Sequence, residues 1–206
     1  MILKDSPADL DQTAQIVRQG GVIAFRTDTV YGLGADPFNQ TAIEKIKMLK
    51  GREEGKPILV LISDLDQLDR LIPKRSASFD LLAQKFWPGA ITLIGPAHDA
   101  LSPELTAGTR TVGVRLPDDA KVRGLVRRCG GALTATSANP SGQSPAITAA
   151  EAETYFGQRI DAILDGGKAE TNQPSTVVDA SSDDVELVRE GIVAWKQIQD
   201  ALTDNK

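Results

Sequence analysis

Apolar positions recur along the chain with two periods, and the places where the period changes mark its elements. Ser6 is placed to cap a helix, with Pro7 in the first turn and Asp9 three residues past the cap. That helix runs to Gln19, where Gly20 and Gly21 end it. VIAF then predicts a short buried strand, followed by the loop RTDTVYGLGADPF. Asn39 caps a second helix whose Ala42, Ile43, Ile46 and Leu49 share one face, and Gly51 stops it. PILVLI is apolar enough for a strand covered on both faces. Residues 76–87 read as a helix broken by Pro88 and Gly89, and AITLIG and TVGVRL as strands. A helix over 119–129, the strand ALTATS, the loop ANPSGQSPA and a helix over 148–156 follow. DAILDG, STVVDA and VELVRE are three late strands, and the polar stretch from about 194 to 206 is a helix or a frayed end.

Helices and strands alternate over the first two thirds, and later strands come closer together. This pattern predicts an α/β fold with a mixed sheet. The 206 residues allow one large domain or two small ones. With no repeat, low-complexity tract or linker, a single domain over 1–206 is expected, with a core from about 10 to 193.

Composition excludes several classes. Hydrophobic residues at 41% and charged ones at 25% are ordinary for a packed domain, so disorder is not expected. The balance of 28 acidic against 23 basic residues argues against a dedicated nucleic-acid binder, while leaving room for a local cationic pocket. One cysteine, Cys129, forms no intrachain disulfide, and with the one histidine, His98, it cannot make a zinc site. The start MILKDSPADL lacks a signal-peptide pattern and no apolar run approaches a membrane span. The expectation is a soluble cytoplasmic protein with no membrane contact.

Three loops carry candidate chemistry. TDTVYGLG, residues 27–34, sets two threonine hydroxyls around a carboxylate just after a strand, a common position for ligand contacts. The same residues would also serve as an ordinary turn. KGREEGKP, residues 50–57, gathers Lys50, Arg52 and Lys56 in an acidic chain. Arginine grips phosphate or carboxylate with two hydrogen bonds and lysine acts as a point charge. The run is not a P-loop, since one residue is missing between its glycines and Pro follows its lysine. A helix C-terminus favours cations and accounts for Lys50, but Lys56 lies past the helix end. TATSANPSG, residues 134–142, delivers Ser137 and Asn139 into a loop whose hydroxyl, amide and N–H groups suit anionic oxygens. It has no nucleophile elbow, and only His98 could serve as a base. Arg115, Ser175 and Arg189 sit at the ends of apolar strands, and their joint appearance there points to convergence.

Taken together, TDTVYGLG, KGREEGKP, WPGAITL, TVGVRLP, TSANPSG and STVVD resemble the YrdC/TsaC family of threonylcarbamoyl-AMP synthases, in its short bacterial form, from about residue 10 to about 193. The resemblance implies a twisted open mixed sheet with flanking helices and a positively charged groove. It implies the conversion of L-threonine, bicarbonate and ATP into threonylcarbamoyl-AMP, pyrophosphate and water, for the N6-threonylcarbamoyladenosine modification of tRNA. Magnesium would accompany ATP, and no protein nucleophile is required, because positioning and fixed charge supply the rate. Carried over by motif, Lys50, Arg52, Lys56, Thr111, Asn139, Ser144 and Arg189 are expected at ATP. Thr29, Arg115, Ser137 and Ser175 are expected at threonine. Implied partners are a downstream tRNA threonylcarbamoyl transferase complex and a weak RNA contact.

Two departures stand out. Arg26 replaces a proline frequent in the family, which would loosen the turn and add a cation near the groove. Leu61 stands where some longer relatives have a histidine. The rival readings are a YciO-like paralogue, an RNA-binding module and a carbamoyl-transfer domain of the hydrogenase-maturation kind. Only 4% aromatic residues weaken the RNA reading, since single-strand binders stack bases on aromatic rings.

Overall fold

Hydroxyl and amide caps start the helices where the sequence places them. In this computed structural model, which describes residues 1–51, 56–169, 171 and 173–203, Ser6 Oγ accepts from the N–H of Asp9 and opens α1 (Pro7–Arg18). Asn39 Oδ1 accepts from the N–H of Ala42 at 3.0 Å and opens α2 (Gln40–Lys50). Gly51 ends α2 in the left-handed region, at φ 56°, which glycine adopts without strain.

The strands are β1 (Ile2–Lys4), β2 (Ile23–Arg26), β3 (Tyr31–Gly34), β4 (Val60–Ile62), β5 (Ile91–Pro96), β6 (Thr111–Arg115), β7 (Ala132–Thr134), β8 (Thr136–Ser137), β9 (Ala162–Asp165), β10 (Thr176–Asp179) and β11 (Glu186–Arg189). The other helices are α3 (Leu68–Leu71), α4 (Ala77–Phe86), α5 (Pro103–Thr106), α6 (Ala120–Arg128), α7 (Ala149–Phe156) and α8 (Trp195–Thr203). The mixed α/β class is as expected, but the strands divide between two sheets. One has the order β1-β9-β2-β3-β8 and the other β11-β10-β5-β6-β4-β7, each with parallel and antiparallel pairs.

The central strands are buried on both faces. Val60 and Ile62 join one apolar core, with Ala24, Leu33, Phe79 and Leu93. Leu61 turns to a second core with Phe25, Leu133 and residues of α1 and α6. This is the two-residue alternation of a strand between two layers. Leu61, singled out for its place in the family pattern, is therefore a core residue.

Two stretches depart from the sequence expectation. YGLG, expected within a loop, is β3, paired antiparallel with β2. Its glycines hide the strand pattern because neighbours press on it: a Cβ at Gly34 would lie 2.8 Å from Phe25 Cε1. ALTATS, expected as one strand, is two. Thr134 belongs with β4, while Thr136 and Ser137 pair with β3 in the other sheet. Ala135 N–H donates to Leu59 O at the crossing point. Strand β1 and the short helices α3 and α5 are additions that the pattern did not announce. The last stretch is helical over Trp195–Thr203, held by buried Ile198 and Ala201.

Candidate active site

A cavity of about 520 Å³ opens between the two sheets. The Thr27–Val30 turn and β3 form one wall, β5 and β6 the floor, and β10 and β11 the opposite wall. Gly113 keeps the floor low, since a Cβ there would meet Thr92 Cγ2 at 3.0 Å. Among the eleven sequence candidates, Thr29, Lys56, Arg115, Ser137, Ser175 and Arg189 line this space. Segments far apart in sequence converge because β3, β6, β8, β10 and β11 bring their residues to the gap between the sheets.

The charged residues among the described lining are Lys56, Arg115 and Arg189, and no Asp or Glu is among those lining residues. Arg115 is 2% exposed and its Nη1 donates to both oxygens of Asp28, at 2.7 and 2.8 Å. Burial pushes the Arg115 guanidinium down from its ordinary value and the Asp28 carboxylate opposes that shift. Its Nε is buried with no hydrogen-bond partner in the structure, an open N–H on a fixed cation. Arg189 donates through Nη2 to Ser175 O at 2.8 Å. Arg189 is exposed as a residue, but partial desolvation of its guanidinium, and then the positive Arg115, lower its affinity for the proton. The charge of Arg115 thus reaches Arg189, and an anion between them would offset both.

The hydroxyls are ordered in pairs. Thr27 Oγ and Thr29 Oγ lie 2.9 Å apart, and Thr92 Oγ and Ser175 Oγ also lie 2.9 Å apart. All four residues are buried. Tyr31 donates its hydroxyl to Gly167 O at 2.7 Å, and burial, with Asp165 nearby, pushes its pKa to about 12. Thr176 Oγ donates to Val193 O and accepts from the N–H groups of Gly191 and Val193. This folds the 191–193 turn against Ser175. Only glycine fits at 191, where a Cβ would stand 2.2 Å from Pro174 O.

Four of the ten described sequence candidates do not line the cavity. Lys50 is 5% exposed, and its Nζ donates to Ser137 O and Asn139 O, tying the end of α2 to the loop that carries Ser137. Asn139 uses Nδ2 to hold Pro140 O and Gln143 O, while its Oδ1 is buried with no partner in the structure. Ser144 is exposed, and its carbonyl accepts from the Tyr155 hydroxyl. Thr111 shares a strand face with Gly113 and Arg115, farther along β6, and its hydroxyl pairs with Thr109. Arg52 lies outside the described residues.

The expectation that Arg26 adds charge to the groove is corrected. Its Nη2 bonds Asp119 Oδ2 at 2.6 Å, in a separate small depression with Leu10, Lys121 and Leu164. Asp119 balances its charge, and Arg26 is absent from the cavity lining although it pairs across the strands with Tyr31. His98 accepts from Ala100 N–H through Nδ1 and takes no part in the cavity lining. Cys129 is buried, which raises its thiol to about 12. Sequence reasoning missed Asp28 and Thr27 as individual residues, although both lie in the quoted TDT, and it missed Thr92. The available signal for Thr92 was a hydroxyl inside the apolar run AITLIG. Among the described residues, no three His, Cys, Asp or Glu side chains are grouped to hold a metal ion. No helix among them is long and apolar enough to cross a membrane.

The fold is that of an α/β protein with a cavity between two mixed sheets, whose cations and ordered hydroxyls are complementary in charge to small anions. The Sua5/YciO/YrdC family model, described as telomere recombination, matches residues 15–191, and the chain belongs to that family. It is 40% identical over 199 residues to a Bacillus subtilis protein named threonylcarbamoyl-AMP synthase. That match takes in 96% of this chain and 57% of the Bacillus protein, so the chain spans little more than half of that relative's length. A Thiobacillus denitrificans protein of the same name is 39% identical over 166 residues, covering 81% of this chain and 88% of its own length. The crystal structure of Pyrococcus abyssi Sua5 complexed with L-threonine superposes with a TM-score of 0.93 at 30% identity, over 98% of this chain and 60% of that one.

Proposed function

We propose that the protein is an L-threonylcarbamoyladenylate synthase, a nucleotidyltransferase acting in tRNA modification. L-Threonine, bicarbonate and ATP give threonylcarbamoyl-AMP, pyrophosphate and water. The observation that carries this reading is a lining with three cations, no carboxylate among its described residues and several ordered hydroxyls in one cavity. The names of its relatives and the threonine bound to Pyrococcus abyssi Sua5 support the choice of substrate.

In this reaction the threonine amine takes up bicarbonate or CO2 as a carbamate, and water is lost overall. A carbamate oxygen then attacks the α-phosphorus of ATP, and the bond to pyrophosphate breaks. Carboxylate, carbamate and triphosphate meet in one space, and fixed cations offset their repulsion without reorganising. Arg115 takes the threonine carboxylate with the N–H groups that Asp28 leaves open, and Thr29, Ser137 and Ser175 hold the rest of the amino acid. Lys56, Arg52 and Arg189 face the phosphates. Thr111, Asn139 and Ser144 belong to the nucleotide side, and Lys50 acts there through the Ser137–Asn139 loop that it holds. Magnesium would accompany ATP, neutralising phosphate charge alongside these cations, and no step needs a protein nucleophile. The product passes to a tRNA threonylcarbamoyl transferase complex in the cytoplasm, with at most a weak RNA contact by this chain.

The test is pyrophosphate release from ATP and magnesium with L-threonine or bicarbonate omitted in turn. Release that requires both is the expected result. Release indifferent to threonine, or none, would remove the assignment.

A further inference from the structure

The hydrogen bonds of the Thr27–Val30 turn admit one arrangement of protons. Thr27 Oγ lies 2.6 Å from Val30 O, and a carbonyl can only accept, so the single Thr27 proton is spent there. Thr27 Oγ also accepts from the N–H of Thr29 at 3.1 Å. At the 2.9 Å contact between the two hydroxyls, Thr27 has no proton left to give. Thr29 must be the donor, and its only proton points away from any ligand. Both residues are nearly sealed from solvent, at 2% and 4% exposure, so water does not scramble the order. Thr29 therefore offers lone pairs alone to the cavity it lines. The Thr92–Ser175 pair differs: either hydroxyl can donate to the other, and Ser175 can answer a ligand in both senses.

We infer that Thr27 is a positioning residue that makes Thr29 an obligate hydrogen-bond acceptor, so that this wall selects an N–H group, the amine of the amino-acid substrate. The inference rests on the proposed function and deepens it. An ammonium, a free amine and a carbamate nitrogen all keep at least one N–H. One acceptor thus stays satisfied from binding through carbamate formation, while an oxygen without a proton at that point is rejected by lone-pair repulsion. Because the contact is alike in ground and transition states, losing it acts on KM more than on kcat.

The experiment compares the unaltered protein with Thr27→Val, which keeps the shape and removes the hydroxyl, and with Thr27→Ser, which restores it. The expected result for Thr27→Val is a rise in KM for L-threonine of about tenfold, the worth of one hydrogen bond. KM for ATP stays in place and Thr27→Ser behaves as the unaltered protein. Binding of 3-hydroxybutyrate, which is threonine without its amine, supplies a readout that general loosening would not move: the preference for threonine over it falls by the same factor. Should Thr27→Val fail to fold, Thr29→Val is titrated with the same two ligands and is expected to lose the same preference. Unchanged KM and unchanged preference in an active, folded Thr27→Val protein, or an unchanged preference in Thr29→Val, overturns the inference and leaves the function standing. An unaltered protein that neither binds threonine nor releases pyrophosphate removes both.

Discussion

Thr27, Thr29 and Tyr31, on one wall of the cavity, are almost wholly buried, whereas every residue of β11, on the opposite wall, is exposed. The first wall is threaded through the interior. Its hydroxyls bond one another and the backbone, and Asp28 behind it grips buried Arg115. The second is an edge strand, bonded on one side to β10 alone, with Leu187 and Val188 in solvent. Its Arg189 reaches in to a single carbonyl. A group that must recognise geometry gains from a wall that cannot move. A group that must admit and release a large charged ligand gains from an edge that gives way at low cost. Under the proposed function, the buried wall would serve the amino acid and the exposed edge the phosphates.

The sharpest way to break the contrast is Asp28→Ala. It leaves the Arg115 guanidinium buried without its counter-charge, and removing one partner of such a pair costs about 3–5 kcal/mol. Urea unfolding should show that loss, with pyrophosphate release falling as well. A protein as stable as the original would mean that the first wall is not held by this pair. Arg189→Ala tests the exposed wall. Stability should stay within about 0.5 kcal/mol, as for surface changes, while turnover falls about tenfold or more through one lost charge-assisted contact. A stability loss equal to that of Asp28→Ala would abolish the distinction between the walls. The smallest effect is expected at Asp161, whose carboxylate holds the N–H of Val22 at the entry to β2 and the ammonium of Lys45, both at 2.7 Å. Burial works to raise its pKa, but those two hydrogen bonds prevail and hold it below the ordinary 3.8. A carboxyl lowered on folding stabilises fully above its unfolded value and loses that contribution as pH falls through the folded one. Asp161→Asn should therefore lessen the fall in stability on acidification below about pH 4, measured by thermal melting. An acid limb identical in both proteins would assign it to other carboxylates.

Elements with a strong local signal were legible. Ser6, Asn39 and Gly51 cap where the pattern places them, because a cap depends on a few adjacent residues. Strand β3 was not legible, because its two glycines answer to Phe25 and other neighbours that only the fold supplies. The break in ALTATS was hidden for a similar reason: the change of sheet depends on Leu59 and Ala35, far away in sequence. In the site, charge and hydroxyl chemistry were readable from composition and motif. Pairing was not: Arg26, expected to add a cation near the groove, spends its charge on Asp119, which only the fold brings to it.

What the chain determines by itself is the inventory: the alternating elements, the cations gathered in an acidic protein, and the motifs that resemble one family. These are local properties, carried by spacing and by side-chain type. Tertiary structure decides which groups meet and in what state. It buries Arg115 on Asp28, commits Lys50 to the Ser137 loop, and orders the Thr27 and Thr29 protons. Those outcomes depend on burial and on distances between residues up to 89 apart in sequence, where a buried donor or acceptor left unmatched is costly.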